Sequence, residues 1–129
     1  MQTVTIGLVE DDELLRESLT LMLENVGGFV VAGAVGTLAE GLSLLDRQLD
    51  VMLVDLGLPD GSGFSLIPEL RRLPDGPRII VLTSRDEDVE CVAALEAGAD
   101  DFVTKPFSPR ALAARVRAVA RRATNSEEN

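Results

Sequence analysis

Residues 51–63 of the chain read VMLVDLGLPDGSG. The four apolar residues at the start predict a fully buried strand, and the Gly, Pro and Asp that follow predict a loop. Asp55 stands where the strand gives way to the loop, so its carboxylate should lie at the rim of a sheet. There it is either a reactive group or a residue that caps a turn, a common place for Asp. The choice depends on what the other strands bring to the same rim.

The composition indicates one globular domain. A chain of 129 residues with 46% apolar and 26% charged residues can bury one core but not two. Twelve basic against 22 acidic residues give a net charge of -10, which opposes binding to nucleic acid or to an anionic membrane. No apolar run is long enough to cross a bilayer, and the start lacks the basic residues of a signal peptide. We therefore expect a cytoplasmic location.

The chain contains no histidine and a single cysteine. The lack of histidine excludes Ser-His-Asp and Cys-His catalysis, ordinary zinc sites and a role as a histidine phosphocarrier. Cys91 cannot form an internal disulfide, and within a helical pattern it is predicted to be a buried or half-buried thiol.

Apolar runs and helical spacing alternate along the chain on both sides of this stretch. Gly27 and Gly98 are predicted to end helices, Thr37 and Glu40 match a capping box, and Pro109 suits the first helical position. Strands are predicted at 4–9, 29–35, 51–55, 78–83 and 101–104, and helices at 12–26, 37–48, 63–72, 86–97 and 108–123.

This alternation predicts an α/β fold, a doubly wound, flavodoxin-like parallel sheet of five strands with helices on both faces. Right-handed crossovers then bring the carboxyl ends of all strands to one edge, where ligands bind in such sheets. In the order 2-1-3-4-5, strands one and three are neighbours at the centre of the sheet.

Two local features qualify these boundaries. Pro68 removes a backbone donor within the third helix, so that helix should kink or begin late. Residues 124–129 are polar and without periodicity, so we expect them to fray. The predicted domain is therefore 1–123, and 124–129 is a polar tail or the start of a linker to an output domain.

Polar residues stand at the ends of four of the five predicted strands. Strand one ends in Glu10 and Asp11, strand three in Asp55, strand four in Thr83, and Lys105 follows strand five. Three carboxylates against one ammonium leave excess negative charge, because like charges about 4 Å apart repel by roughly 4 kcal/mol at an effective dielectric of 20. Oxygen ligands at a solvent-facing rim suit Mg²⁺. A carboxylate beside Mg²⁺, a lysine and a hydroxyl could attack phosphorus.

On these residues the chain resembles the receiver domain of two-component response regulators. The resemblance covers residues 3–122. The motifs that carry it are 9–12 (VEDD), 55–61 (DLGLPDG), 81–84 (VLTS) and 98–107 (GADDFVTKPF).

The resemblance implies a role for each residue at the rim. Asp55 would be the phosphoacceptor, and Asp11 would bind Mg²⁺ directly. Glu10 would act through water, the carbonyl of Gly57 would complete the protein ligands, and Lys105 would pair with a phosphoryl oxygen. The phosphoryl donor would be a sensor histidine kinase. Such a domain catalyses only its own phosphorylation and dephosphorylation and is not otherwise an enzyme.

The resemblance also implies a switch. Thr83 would hydrogen-bond the phosphoryl group, the ring of Phe102 would follow it, and the surface of helix four, strand five and helix five would change. The bond between Lys105 and Pro106 is expected to be cis. Phe102 lacks the hydroxyl that a tyrosine would offer there.

The last predicted helix is similar to that of receivers that carry a winged-helix transcription domain. Those receivers pair through charges on the face of helix four, strand five and helix five. Asp101 with Arg115, and Glu96 with Arg117, match that pattern. The resemblance therefore implies a homodimer and an output in transcription, with DNA bound by another domain.

Four positions depart from the family pattern. Cys91 and Ala111 replace a further ion pair, so we expect the dimer to be weaker. Ser84 stands where Ala or Gly is usual, and Gly57 leaves the acceptor side of the pocket without a side chain. Both could alter the access of water to a phosphoaspartate.

Of three alternative functions, two fit the sequence poorly. A phosphatase or mutase with an aspartyl nucleophile would need a second acid at position 57, which is glycine. A flavin- or dinucleotide-binding domain would need a phosphate-binding loop after strand one, where acidic residues stand instead. The serious rival is a receiver-shaped interaction module that is never phosphorylated.

Overall fold

Five parallel strands form one sheet in a computed structural model of the chain. The structure describes residues 3–84 and 88–128, with the backbone alone at 88–91 and 122–128. The strands are β1 Val4–Val9, β2 Phe29–Val35, β3 Val51–Asp55, β4 Arg78–Thr83 and β5 Asp101–Thr104. Their order is β2-β1-β3-β4-β5, so the predicted doubly wound topology and all five predicted strands are confirmed.

Helices cover both faces of this sheet. They are α1 Glu13–Val26, α2 Leu38–Leu42, α3 Leu66–Arg71, α4 Asp88–Ala97 and α5 Pro109–Glu128. On one face, buried residues of α1 and α5 such as Leu23 and Val116 pack on Leu53 of β3. On the other face, Leu66 of α3 and Ala94 of α4 belong to a second core cluster. The central strand β3 is buried throughout, which explains its unbroken apolar sequence.

Helix α2 is shorter than the sequence predicted. It begins at the predicted cap, where the Thr37 hydroxyl oxygen accepts from Glu40 N at 3.1 Å, but it ends at Leu42 rather than near residue 48. The Ser43 hydroxyl donates to the Glu40 carbonyl at 2.5 Å, and the N–H of Ser43 bonds to the same carbonyl at 3.1 Å. These bonds to the residue three positions back replace the α-helical pattern. Leu44 lies beyond the end of the helix but is still buried. The apolar spacing that predicted a longer helix therefore reflects burial of these leucines and not helical structure.

Helix α3 begins late, as Pro68 predicted. Residues Gly63–Ser65 form a 3₁₀ turn, and the α-helix starts only at Leu66. Pro68 is then the third residue of the helix. Its missing N–H falls in the first turn, where no intrahelical acceptor is required.

The last two helices agree with the sequence in part. Helix α4 ends at the predicted glycine, since Gly98 has φ 121°, whereas its predicted start at residue 86 lies outside the described residues. Helix α5 continues to Glu128, so the predicted end of this helix near residue 123 is wrong, whereas the fraying of the tail stays a prediction. No glycine or proline stands between 110 and 128 to end the helix. The domain limit at 123 stays a prediction.

Candidate functional site

The carboxyl ends of β1, β3 and β4 meet at one edge of the sheet, and the loop after β5 joins them. A cavity of about 470 Å³ opens there. Its lining consists of Asp11, Asp55, Leu56, Gly57, Ser62, Thr83, Ser84 and Lys105. The structure therefore gathers the polar strand-end residues that the sequence singled out, with Glu10 buried behind the lining.

Three carboxylates form the acidic side of this site. One oxygen from each of Glu10, Asp11 and Asp55 lies within 4.8 Å of the others. Glu10 is fully buried and Asp55 is 6% exposed, whereas Asp11 faces solvent. Adjacent strands explain the proximity, because Val9 of β1 is in register with Val54 of β3. The register therefore brings Glu10 and Asp11, which follow Val9, close to Asp55, which follows Val54.

Glu10 is held from three directions. Its Oε2 atom accepts from Asp12 N at 3.0 Å, and its Oε1 atom lies 2.7 Å from Lys105 Nζ. Arg16 Nη1 donates to the Glu10 carbonyl at 2.8 Å, a contact that sequence reasoning missed because it joins a helix to the preceding turn. Burial raises the pKa of Glu10 more than the bonds from Lys105 and Asp12 lower it.

Lys105 is the cation of this site. Its Nζ atom lies 2.7 Å from Glu10 Oε1 and 3.4 Å from Asp55 Oδ2. The bond between Lys105 and Pro106 is cis, as expected. Burial by itself would lower the pKa of Lys105, but the hydrogen bond with Glu10 and the charge of Asp55 raise it overall. Lys105 is therefore an ammonium at neutral pH.

The loop after β3 orients the carboxylate of Asp55. Gly57 N donates to Asp55 Oδ1 at 3.1 Å, and Gly63 N donates to the Leu56 carbonyl at 2.9 Å. A short antiparallel hairpin, Gly57–Leu58 with Gly61–Ser62, closes the loop between these two bonds. Asp55 therefore ends the strand and also stabilises the turn that follows it. A role in the turn and a role as a reactive group, the two interpretations left open by the sequence, are compatible.

Thr83 and Phe102 lie on neighbouring strands. Thr83 is the last residue of β4, is 3% exposed, and its carbonyl accepts from Lys105 N at 2.7 Å. Phe102 in β5 is half-buried and packs against the core cluster that holds α3 and α4. Thr83 therefore lines the cavity, and Phe102 lies one strand further along the sheet.

Asp60 is a residue of the loop that sequence reasoning missed. Its Oδ1 and Oδ2 atoms accept from Leu38 N at 2.7 Å and from Ala39 N at 3.0 Å. With Thr37 bonded to Glu40 N, Asp60 thus occupies the first N–H groups of α2. The Pro-Asp-Gly sequence indicated a turn, but the partners lie more than 20 residues away and left no local signal. These two bonds lower the pKa of Asp60.

Replacing Asp60 with alanine is expected to lower the free energy of unfolding and to speed amide exchange at Leu38 and Ala39. Because the folded-state pKa of Asp60 lies below its ordinary value, its contribution is complete above the unfolded-state pKa and disappears as the pH falls through the folded-state pKa. Urea unfolding from neutral to acidic pH should therefore show a gap between wild type and D60A that closes in acid. D60N keeps one acceptor and should lie between them. Equal stabilities at neutral pH would contradict this role.

The residues present fit a hard divalent cation. The donor set contains only oxygen, with three carboxylates close together and no histidine in the whole chain. Glu10 Oε1 is buried, with Lys105 Nζ 2.7 Å away and the carboxylates of Asp11 and Asp55 close by. A single ammonium leaves the cluster with net negative charge. An additional cation would balance that charge.

Comparisons with known proteins point to one family. The family model described as "Response regulator receiver domain" matches residues 6–117. The chain is 44% identical over 126 residues to the transcriptional regulatory protein CreB of Escherichia coli, covering 95% of this chain and 53% of that protein. It is 41% identical over 120 residues to the phosphate regulon transcriptional regulatory protein PhoB of Pseudomonas aeruginosa, covering 92% and 52%.

A solved structure agrees with these sequence matches. The crystal structure of a CheY-like response regulator receiver domain protein from Methanospirillum hungatei superimposes with a TM-score of 0.87 at 28% identity, covering 97% of this chain and 99% of that one. The chain spans about half the length of the curated relatives it matches. Across the described residues, no helix has both the length and the apolar character needed to cross a membrane.

Proposed function

Since the chain belongs to the receiver domain family of response regulators, which act in phosphorylation-based two-component signalling, we propose that Asp55 is its phosphoacceptor. One observation carries this proposal. The Asp55 carboxylate faces the cavity with Lys105 Nζ 3.4 Å from one oxygen, and oxygens of Glu10 and Asp11 lie within 4.8 Å. A nucleophile, a cation and a set of metal ligands thus surround one space.

The proposed reaction moves a phosphoryl group from a phosphohistidine to Asp55. A carboxylate oxygen of Asp55 forms a bond to phosphorus while the phosphorus–nitrogen bond of the donor breaks, and the leaving imidazole takes up a proton. These 129 residues contain no histidine, so the phosphohistidine lies outside them, and we infer that a sensor histidine kinase carries it. The only chemistry proposed for the chain itself is this transfer and the hydrolysis of its own phosphoaspartate.

Different residues of the chain would bind Mg²⁺, orient Asp55 and contact the phosphoryl group. Asp11, Asp55 and the Gly57 carbonyl would hold Mg²⁺, with Glu10 acting through water. Bound Mg²⁺ would offset the charge of the carboxylates and of the phosphoryl oxygens. The Gly57 N–H fixes one oxygen of Asp55 at 3.1 Å. Lys105, an ammonium at neutral pH, would meet a phosphoryl oxygen.

Thr83 and Phe102 would couple phosphorylation of Asp55 to a change at the protein surface. Thr83 lines the cavity and would donate its hydroxyl to a phosphoryl oxygen once one is present. Phe102 lies on the neighbouring strand and is half-buried, so its ring would follow into the space that Thr83 leaves. The face of α4, β5 and α5 would change as a result, through a shift between two pre-existing conformations.

We propose that phosphorylation favours a homodimer through that face. Arg115 Nη1 contacts both carboxylate oxygens of Asp101 in the same chain at 3.0 Å, a pair that two chains could exchange. Arg117 lies over the Phe29 ring, 5.1 Å from its centroid, so pairing with Glu96 of a second chain would require it to leave. Of the two expected ion pairs between chains, only Asp101 with Arg115 could form without moving an arginine from a contact with a different kind of residue. This supports a weak dimer. Sedimentation that shows monomer with and without phosphorylation would refute it.

The output proposed for the whole protein is transcription. The relatives are named as transcriptional regulatory proteins, and this chain matches about half of each. The net charge of -10 does not favour nucleic acid, so DNA binding would belong to a separate domain. The cytoplasmic location expected from the sequence remains a prediction.

The test is the intact mass of the chain after incubation with acetyl phosphate, with Mg²⁺ or with an excess of chelator. We expect a gain of one phosphoryl group with Mg²⁺ and none with chelator. No gain in either sample, even with a cognate kinase supplied, would leave the receiver-shaped interaction module as the better description.

A further inference from the structure

The outer edge of the sheet at β2 is unusually apolar. Phe29–Val35 reads FVVAGAV, seven residues without a charge or a proline, and the Val30 side chain is 45% exposed. The opposite edge, β5, is only four residues long and carries Asp101. A long, uncharged edge strand offers its free N–H and C=O groups to another strand. The β2 edge is therefore the place where this sheet is open to extension.

Two charged side chains occupy backbone groups in the middle of that edge. Val31 N donates to Glu24 Oε2 at 3.2 Å, and Arg47 Nη1 donates to the Ala32 carbonyl. Glu24 belongs to α1, whereas Arg47 follows α2, and these two helices lie on opposite faces of the sheet. The edge is thus held from both faces at adjacent residues.

The backbone of β2 is also irregular at Ala32. The pairing with β1 runs from Ile6 with Val31 to Gly7 with Gly33, which leaves Ala32 as an extra residue. A β-bulge of this kind interrupts the regular ladder that an incoming strand would need. A Cβ atom on Gly33 would lie 2.7 Å from Leu44 Cδ2 and 3.2 Å from Arg47 Nη1, so the glycine leaves room for both the leucine and the guanidinium.

We infer that Glu24 and Arg47 close the β2 edge to the β2 strand of a second copy of this chain. The second copy is the relevant occupant because its own β2 offers the same seven uncharged residues, which can pair without burying a charge. Contacts of exposed charged side chains contribute little to stability, so stability alone does not explain why Glu24 and Arg47 both bond to this edge. Their effect is to occupy backbone groups that an incoming strand would need. The inference goes beyond the proposed function and does not depend on phosphorylation.

The test is the double variant E24A/R47A, studied by sedimentation velocity and thioflavin T without Mg²⁺ or phosphodonor. One negative and one positive charge are lost, so the net charge stays at -10 and electrostatic repulsion between chains is unchanged. We expect association that rises with protein concentration at concentrations where the wild type sediments as a single small species. Adding V30K, which places a charge on the exposed edge, should suppress that association.

Two controls separate the edge from a general effect. E17A/R121A removes the same two charge types from exposed positions outside β2 and should behave as the wild type. E24Q/R47K keeps an acceptor and a donor at the edge and should also remain unassociated. A folded E24A/R47A that sediments as the wild type overturns the inference, and so does association that V30K does not suppress.

Amide exchange provides the deciding measurement if the double variant does not fold. In the wild type the Val31 N–H should exchange slowly although it lies on an open edge. In E24A alone its exchange should become at least roughly tenfold faster, while an N–H inside the β1–β3 ladder stays protected. Equal exchange of Val31 in the two proteins would show that Glu24 does not hold the edge.

Discussion

Replacing Asp55 with asparagine is expected to abolish the Mg²⁺-dependent gain of a phosphoryl group while leaving the chain folded. The asparagine amide has nearly the same shape as the carboxylate but is not a nucleophile toward phosphorus. Its oxygen can still accept from Gly57 N, so the turn that holds position 55 stays intact. The variant also removes one of three neighbouring carboxylates, and with it part of their mutual repulsion.

The measurement for D55N has two parts. Intact mass after incubation with acetyl phosphate and Mg²⁺ should show no added phosphoryl group, against nearly complete modification of the wild type. Thermal unfolding without metal should show a midpoint no lower than that of the wild type. A phosphoryl group still attached to folded D55N would place the acceptor elsewhere, whereas an unfolded variant would mean that Asp55 is chiefly structural.

Gly63→Ala is expected to cause the largest loss of stability among the glycine substitutions around the site. A Cβ atom at position 63 would lie 2.2 Å from the carbonyl oxygen of Asp55 and 2.9 Å from Val54 Cγ1. The first neighbour is backbone of the central strand, which cannot rotate away as a side chain can. Overpacking of a rigid interior typically costs about 1–3 kcal/mol and occasionally more. We expect a loss at or above the upper end of that range, and slower phosphorylation because Asp55 must shift.

Gly57→Ala is the matched control in the same loop. A Cβ atom there would have no heavy atom within 4 Å, and the residue is exposed. Urea unfolding should therefore place G57A within about 0.5 kcal/mol of the wild type, the usual range for a surface substitution. If G63A unfolds at the same urea concentration as G57A, the close approach of Gly63 to Asp55 does not constrain the loop.

Much of the fold could be predicted because the sequence patterns are local. Each strand is an apolar run bounded by turn residues, and a run such as residues 51–54 needs no information from elsewhere. The strand ends then followed from the topology, since parallel strands deliver their carboxyl ends to one edge. Glu10, Asp55, Thr83 and Lys105 were predicted together for this reason.

The features that were not predicted depend on distant contacts or on weak local choices. Asp60 caps α2 across 21 and 22 residues of sequence, and its turn motif did not reveal that partner. The early end of α2 came from the Ser43 hydroxyl, which competes for the Glu40 carbonyl within a segment whose leucines still suggested a helix. The end of α5 was misjudged because the polar residues of its last turns permit a helix without predicting one.

The position of Lys105 bears on how the protein matures. Its ammonium lies 2.7 Å from Glu10 and 3.4 Å from Asp55, so the acidic cluster carries its own counter-ion. We therefore expect a newly synthesised chain to fold without a divalent ion. An ion that binds later stabilises the native state further, by about 2.7 kcal/mol when its concentration is 100 times the dissociation constant. If the proposed site binds Mg²⁺, the melting temperature should rise across a magnesium titration and report how full the site is, without any phosphodonor.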